Sequence, residues 1–346
     1  MRNTIVIFSA LCALCTFTLA GCGGGGGTAA VGTTVNRGVV TAEGNIAVNG
    51  VFYNISSANI TIDGVVASKR DLKVGMLVTV KGIFDNRTSH AIRRTATSVQ
   101  YFTNFRGPVD CVNPLNNSLT IMGQQVLIKS DEPNRTVFAN FSTSQVIFAT
   151  ISTAGKLNSH LSPDFTSQPP LYNMVKVSGF DNGINGFVAS RIELVGEGVD
   201  LSTDVPVGIR GTLTGVDVPG KAFAIGNLSV DYSGMPTAYM PTFLVSGLFI
   251  NVQGLSSELT PGNAPSLTFV APHLITRAAQ GVPAHEGDHV TLVGYVSQFS
   301  GTLFAIEGTP VDGSLASLSG TSNAVLVQVD GIFSAGVVMA SKITLL

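Results

Sequence analysis

The stretch 71–82, DLKVGMLVTVKG, decides the fold of this chain. Within it, the apolar Val78 and Val80 flank the polar Thr79, and Gly75 and Gly82 stand before and after this apolar run. Alternation with a period of two places both valines on one face of a pleated strand and Thr79 on the other. The stretch therefore predicts a half-buried β-strand that begins and ends near a turn.

The same frame returns four more times along the chain. Each copy has apolar residues at alternate positions and closes on a glycine. The copies are 172–179 (YNMVKVSG), 247–254 (GLFINVQG), 287–294 (GDHVTLVG) and 324–331 (AVLVQVDG). A pattern that recurs along a chain indicates repeated structural units.

A second element also repeats, namely a strand headed by a glycine and followed by a turn and another strand. The head glycines are Gly38, Gly107, Gly211 and Gly294. Turn dipeptides such as Asn49-Gly50 and Asp330-Gly331 separate the apolar runs, as two-residue hairpins require. The two elements together predict an all-β protein of tandem antiparallel units.

The repeats divide most of the chain into about four β-modules of roughly 55 to 90 residues. We predict module 1 at 37–104, module 2 at 105–199 with an insertion at 132–170, module 3 at 205–286 with a long loop at 255–286, and module 4 at 287–346. Long loops in compact domains are often functional, so these two excursions are where we expect any binding site.

The N-terminal residues have the form of an export signal. Arg2 precedes an uncharged apolar run, and small residues lead into Cys22 through the sequence LAGC at 19–22; this is the pattern of a cleaved signal and not of a spanning helix. It resembles the lipobox of bacterial lipoproteins. The resemblance implies a signal peptide at 1–21, lipidation with palmitate-type chains at Cys22, and a bacterial outer-membrane location, because Gly23 and not Asp follows the cysteine. Either face of that membrane is compatible with the sequence.

The segment 22–36 follows as a predicted tether. It contains five consecutive glycines, 23–27, and such a run is a flexible chain that cannot pack. The tether would lift the folded modules away from the lipid anchor at Cys22.

The glycine-headed strands, the NGV hairpin at 49–51 and the DLKVGMLVTVKG block resemble bacterial lipoproteins with tandem copies of the β-domain called domain of unknown function 5666. The resemblance covers most of residues 37–346 and is closest in the first two modules. It implies small barrels similar to oligonucleotide/oligosaccharide-binding (OB) barrels. It implies no activity, no cofactor and no catalytic residue.

Composition narrows the function classes. The net charge is −2 and only 12% of the residues are charged, against about 25% in typical soluble domains. A nucleic-acid binder would show a clustered basic face, so we expect no nucleic-acid partner. Cys111 is left without a cysteine to pair with in the mature chain, and its alternation with Val109 predicts a small core residue.

The sequence HEGDH at 285–289 matches the H-E-x-x-H signature of zinc proteases. That chemistry needs an α-helix that brings both histidines to one ion. Here Gly287 is central and the following residues have strand character, in frame with 75–82. We therefore predict that the stretch opens a strand, with no metal site and no catalytic residue.

Three functions remain, and we rank them in order. The first is a non-catalytic, lipid-anchored envelope protein that serves as a structural spacer or as a docking scaffold for other envelope proteins. The second is a module that binds a glycan or another extended ligand, by analogy with similar barrels; the lack of tryptophan counts against it, because sugar platforms rely on stacking. The third is a hydrolase, which depends on the sequence at 285–289 alone.

Overall fold

The computed structural model describes residues 31–85, 93–113, 115–131, 134–141, 161–183, 186–261 and 267–346. The strands fall into four consecutive groups. Module 1 contains β1 (Val31–Ala42), β2 (Ala47–Val48), β3 (Val51–Phe52), β4 (Asn59–Ile62), β5 (Val65–Val66), β6 (Leu77–Asp85) and β7 (Arg93–Tyr101). Module 2 contains β8 (Phe105–Asn113), β9 (Ser118–Ile121), β10 (Gln124–Ile128), β11 (Val137–Ala139), β12 (Leu171–Asp181) and β13 (Phe187–Asp200).

The second half of the chain contains two more modules with a similar set of strands. Module 3 contains β14 (Pro206–Asp217), β15 (Ala222–Ile225), β16 (Leu228–Asp231), β17 (Phe249–Leu255), β18 (Leu259–Pro261), β19 (Leu267–Val270) and β20 (Leu274–Arg277). Short 3-10 helices span Thr237–Tyr239 and Ser256–Glu258. Module 4 contains β21 (His289–Ser300), β22 (Leu303–Ile306), β23 (Thr309–Asp312), β24 (Leu326–Ser334) and β25 (Val337–Leu345).

Modules 2 and 4 are closed five-stranded barrels. In module 4, β21 pairs with β22, β22 with β23, β23 with β25, β25 with β24, and β24 with β21. Only the pairing of the third strand with the fifth is parallel. Module 2 has the same circuit through β8, β9, β10, β13 and β12. This strand order is that of an OB barrel, and the predicted fold of tandem all-β barrel modules is confirmed.

Modules 1 and 3 follow the same order with one interrupted strand each. In module 1 the third strand is divided, because β3 pairs with β2 whereas β4 pairs in parallel with β7. In module 3 the fifth strand is divided, because β19 pairs with β16 and β20 pairs with β17.

The repeated head glycine makes room for a side chain from the next strand. A Cβ atom at Gly107 would lie 2.2 Å from Sδ of Met122, and one at Gly211 would lie 2.3 Å from Cγ2 of Ile225. Both separations are far below van der Waals contact, so any side chain at these positions would overpack the barrel. The glycine repeat is thus a packing requirement of the first hairpin of each module.

The four barrels pack into one body through shared strands. β1 pairs antiparallel with β6 in its own module and parallel with β21 of module 4. β8 of module 2 pairs with β14 of module 3. Leu77, Phe180 and Tyr295, from modules 1, 2 and 4, belong to one buried apolar cluster at the centre. The first and last modules are therefore neighbours, although they are most distant in sequence.

Two predicted segments need correction, namely the tether and the long loop of module 3. Residues 31–36, assigned to the tether, form the first half of β1, because Val35 is buried in the apolar core of module 4. The long loop predicted at 255–286 contains β18, β19 and β20, which complete the barrel of module 3. Within the insertion at 132–170, β11 extends the sheet beside β13. The signal peptide 1–21, Cys22 and the glycine run lie outside the described residues.

Candidate functional site: an arginine-lined groove

A groove of about 740 Å³ lies between module 1 and module 3. Its module 1 wall contains Asp63 and Val65 from the β4–β5 hairpin, and Phe102 and Thr103 from the connection between β7 and β8. The other wall and the floor come from β14, β17 and β20 of module 3, with Arg106 of β8 beside them. The groove therefore depends on how the barrels pack together.

Strand alternation decides which side chains face this groove. On β14, Val207 and Ile209 are buried inside the barrel of module 3. Their neighbours Gly208 and Arg210 consequently lie on its outer face, since successive side chains of a strand point to opposite sides. The floor of the groove is thus the outside of a barrel whose inside is already filled.

Two rows of residues cross the floor from strand to strand. One row is Arg210, Asn251 and Thr276, and the next is Arg106, Gly208, Gln253 and Leu274. Gly208, between Arg106 and Gln253, has no side chain; a Cβ atom there would lie 3.5 Å from Cγ of Gln253. The side chains of Asn251, Gln253 and Thr276 make no hydrogen bond to any described residue, so their amide and hydroxyl groups are available to a ligand.

The groove carries more positive than negative charge. Among the described residues, none of Arg106, Arg210 and Arg277 has a carboxylate within ion-pair distance. Asp63 also lines the groove, but Thr103 donates to both of its oxygens, from the backbone N–H at 2.6 Å and from the hydroxyl at 2.8 Å. Asp63 is therefore engaged in hydrogen bonds within the protein, whereas the three guanidinium groups have no ion-pair partner among the described residues.

Aromatic rings support two of these arginines. The guanidinium carbon of Arg210 lies 4.2 Å from the ring centre of Phe102 and 5.5 Å from that of Phe249. Arg277 lies 5.0 Å from the ring centre of Phe243. A guanidinium that stacks on a ring face keeps its N–H groups, which lie in its own plane, free for an acceptor.

Burial and charge both act on Arg210. Burial, followed by the charge of Arg37, lowers the pKa of Arg210 to about 10, while Asp63 and Glu307 oppose this shift. Arg210 stays protonated at neutral pH. Nε of Arg106 is buried and has no hydrogen-bond partner within the part of the chain that the structure describes. Both side chains would gain from an anion in the groove.

His273 at the rim has a fixed orientation. Its Nδ1 lies 2.6 Å from Oε1 of Glu258, and Oε2 of the same carboxylate accepts the backbone N–H of Leu255 at 3.0 Å. With Nδ1 held by Glu258, the Nε2 atom of this exposed ring is left for a ligand. The two residues are 15 positions apart and both lie in the stretch 255–286, where the sequence predicts any binding site, although no motif marks them individually.

The sequence HEGDH at 285–289 forms a turn and then the start of β21, and it is not helical. The buried Asp288 accepts the backbone N–H of His285 through Oδ2 at 2.8 Å, and the hydroxyl of Thr33 through Oδ1. Burial acts to raise the pKa of Asp288, but these hydrogen bonds outweigh it and hold that pKa below its ordinary value. Asp288 thereby attaches module 4 to β1.

The other acid of this motif holds a hairpin. Glu286 accepts the hydroxyl of Ser334 at 2.6 Å and the backbone N–H of Ala335 at 2.8 Å, in the turn between β24 and β25. These two bonds lower the pKa of Glu286. His289 meets the ring of Phe84 edge-on, with the ring centres 5.3 Å apart. The motif residues thus make structural contacts in a geometry different from that of the zinc-protease helix.

The described residues contain neither a metal-binding cluster nor a long apolar helix. In those ranges no group of three or more His, Cys, Asp or Glu side chains could hold a metal ion. The helices found there are all too short or too polar to cross a lipid bilayer. The predicted lipidation site Cys22 lies outside the described ranges and stays a prediction.

The chain matches no protein-family model and no curated protein sequence. The resemblance to lipoproteins with tandem copies of domain of unknown function 5666 therefore stays a prediction from the quoted sequence blocks. The groove has to be interpreted from its own chemistry.

One sequence signal for the groove was present and was missed. The residue before the head glycine is an arginine in the first three modules and a valine in the fourth, giving Arg37-Gly38, Arg106-Gly107, Arg210-Gly211 and Val293-Gly294. Arg106 and Arg210 line the groove, and Arg37 is close enough to Arg210 to lower its pKa. An arginine repeated at one position of a barrel repeat marks the surface where the modules meet.

Proposed function

We propose that this protein is a non-catalytic, lipid-anchored protein of the bacterial cell envelope that binds an extended glycan ligand in the groove between modules 1 and 3. One observation carries the proposal: guanidinium groups without an ion-pair partner, and amide and hydroxyl groups without a hydrogen-bond partner, among the described residues line a groove of about 740 Å³. Clefts of roughly 300–1,000 Å³ with a few converging polar groups are typical of binding sites. The predicted lipid at Cys22 would hold the groove close to the membrane.

The chemistry of the groove favours binding over catalysis. Arginine is protonated throughout the physiological pH range, and Asn251 and Gln253 do not titrate. Such groups orient and retain a ligand, whereas hydrolysis requires a nucleophile or a base beside the scissile bond. The groove therefore supports a binding module more than the hydrolase considered from the sequence.

The packing of the modules supports binding above the spacer role. Four barrels in a row would extend far from the anchor, but the pairing of β1 with β21 brings the first and last modules together. A body folded back in this way has a short reach and a rigid centre. Rigid elements are what a preformed binding groove needs.

The absence of tryptophan allows a direct test. Leu274 lines the groove and is 42% exposed, while Leu303 at the start of β22 is 54% exposed and lies outside the groove. Leu274→Trp and Leu303→Trp would each introduce the only tryptophan of the chain. We expect titration with a panel of neutral and acidic oligosaccharides to shift the emission of Leu274→Trp and leave that of Leu303→Trp unchanged.

A flat response of both variants to every oligosaccharide in the panel would overturn the proposed glycan-binding function. An equal shift in both variants would overturn the assignment of the groove, because ligand would then bind elsewhere or everywhere.

A second candidate function, docking of another envelope protein, is favoured by the edge of module 1. β5 ends its sheet, and its two residues Val65 and Val66 are 69% and 79% exposed. An apolar edge strand can pair with a strand of a partner. If this edge is used, Val66→Lys should abolish co-purification of an envelope partner while Leu303→Lys preserves it; equal recovery with both variants would remove this candidate.

A further inference from the structure

The groove concentrates positive charge in a protein that is poor in charge. Only 12% of the residues are charged, yet Arg106, Arg210 and Arg277 line one groove without a carboxylate partner among the described residues. Arg106 and Arg210 are half-buried and Arg277 is exposed, and half-buried like charges oppose folding unless an anion offsets them. The natural complement of this surface is a ligand that brings its own negative charge.

The arginines are arranged for planar anions. Phe102 and Phe249 lie beside Arg210, and Phe243 lies beside Arg277, so these guanidinium groups are held against aromatic rings before a ligand arrives. The buried Nε of Arg106 has no acceptor from the described residues. Guanidinium groups bind carboxylates through two parallel hydrogen bonds, and such charge-assisted pairs are roughly twice as strong as neutral ones.

Neutral hydrogen-bonding groups lie between the charges. Asn251 stands between Arg210 and Thr276 in one row, and Gln253 stands next to Gly208 in the other. An amide offers donors and an acceptor together, which matches the hydroxyl groups of a sugar. The ring of Phe102 is already covered by Arg210, and the chain has no tryptophan, so stacking on a neutral sugar is a minor contribution here.

We infer that the ligand of the groove is an acidic oligosaccharide, whose carboxylates pair with Arg106 and Arg277 and whose hydroxyls pair with Asn251 and Gln253. This inference rests on the proposed glycan-binding function and specifies its ligand class. Acidic sugars carry both groups along one chain, so a single extended ligand satisfies both rows of the floor.

The test uses calorimetric titration of the full chain in detergent with three probes. Oligogalacturonate supplies carboxylates and hydroxyls, its fully methyl-esterified form supplies hydroxyls without carboxylates, and poly-L-glutamate supplies carboxylates without hydroxyls. We expect oligogalacturonate to bind at least about tenfold more tightly than either comparison probe, because only this probe offers carboxylates and hydroxyls together and charge-assisted hydrogen bonds are roughly twice as strong as neutral ones. Its affinity should fall as salt is added.

Variants connect the binding to named side chains. Arg277→Gln, at an exposed position, should weaken oligogalacturonate binding by about tenfold or more and reduce its salt dependence. Asn251→Ala should weaken oligogalacturonate and leave the residual binding of poly-L-glutamate unchanged. Arg70→Gln, an exposed arginine outside the groove, is the matched control and should change neither.

The outcomes separate the inference from the proposed function. Equal affinity for oligogalacturonate and its methyl ester would overturn the acidic ligand while leaving glycan binding intact. Equal affinity for poly-L-glutamate would overturn the saccharide. Failure of all three probes overturns the inference; the proposed function fails as well only if the neutral oligosaccharides of the tryptophan experiment also give no response.

Discussion

Arg37 on β1 and Glu307 in the turn between β22 and β23 form an ion pair, with Nη2 3.3 Å from Oε2, that joins the first module to the last. The other oxygen of Glu307 accepts the backbone N–H of Asp181, in module 2, at 3.1 Å. Burial raises the pKa of Glu307, and the charge of Arg37 opposes the rise. One buried carboxylate therefore connects three modules.

Loss of this carboxylate should destabilise the whole body. Glu307→Gln leaves Arg37 half-buried without its counter-charge, and breaking a buried pair from one side costs about 3 kcal/mol or more. The matched control is Glu43→Gln, which breaks the exposed pair between Glu43 and Lys73 and should cost less than about 1 kcal/mol. Urea denaturation of both variants measures the difference, and equal costs would contradict the role of Glu307.

A buried acid in module 2 should make stability depend on pH. β8 has a bulge between Val109 and Cys111, which turns Asp110 into the barrel. Its Oδ2 accepts the backbone N–H of Gly123 at 2.7 Å, and Oδ1 has no partner among the described residues. Burial raises the pKa of Asp110 to about 7, against the opposing hydrogen bonds from the Gly123 and Met122 backbone.

The direction of this pH dependence follows from which state of the protein binds the proton. Between the ordinary pKa of 3.8 and the folded pKa of about 7, the folded state holds a proton on Asp110 that the unfolded state has released. Stability from this group is therefore complete below about pH 4 and falls as pH rises towards 7. Asp110→Asn should flatten the free energy of unfolding over that window. Asp164→Asn is the control, because hydrogen bonds from Thr166 and Ser167 lower the pKa of the exposed Asp164 to about 2. If both variants have the same pH profile of unfolding free energy, Asp110 is not protonated in the folded protein in the way we expect.

Gly287 should be more sensitive than the histidines on either side of it. Its φ is 82°, a left-handed conformation that β-branched residues adopt only with strain. Gly287→Val is expected to cost about 1–3 kcal/mol, and His285→Ala less than about 0.5 kcal/mol because the ring is exposed. His289→Ala also loses an edge contact with Phe84, for an expected cost of about 0.5–1 kcal/mol. Thermal denaturation of the three variants measures the order of these stability costs.

The same variants address the zinc-protease alternative. Protein purified without an affinity tag should contain no stoichiometric zinc, and chelator should leave its melting temperature unchanged. Zinc at one ion per chain that disappears in His289→Ala would establish a metal site at 285–289.

The lipid anchor is tested by Cys22→Ser. Cys22 follows the lipobox-like residues 19–21, so its loss should move the protein from the membrane fraction to the soluble fraction. The control is Cys111→Ser, which changes a half-buried free cysteine and should leave the protein with the membrane. Tight membrane association of Cys22→Ser would contradict lipidation at this residue.

The local pattern of the chain was enough to predict tandem antiparallel β-units, whereas the expectation of barrels came from the family resemblance. Alternation as in Val78 and Val80, turn dipeptides and recurring glycines are short-range signals, and each barrel is built from neighbouring hairpins. The same reasoning failed where an irregularity in strand pairing changes which side of the sheet a residue faces. Cys111 was predicted in the core from its spacing to Val109, but the bulge at Asp110 breaks the alternation and leaves Cys111 half-buried.

Sequence alone thus determined the fold class and the repeat, because period-two alternation and glycine packing act within a few residues of the chain. Tertiary structure decided what the modules form together. The sequence alone predicts residues 31–36 as a tether, and only the pairing of β1 with β21 makes them part of a sheet. Arg106 and Arg210 are far apart in sequence, and only the pairing of β8 with β14 places them side by side. Long-range strand pairing has no local signature, so the groove exists only after the barrels pack.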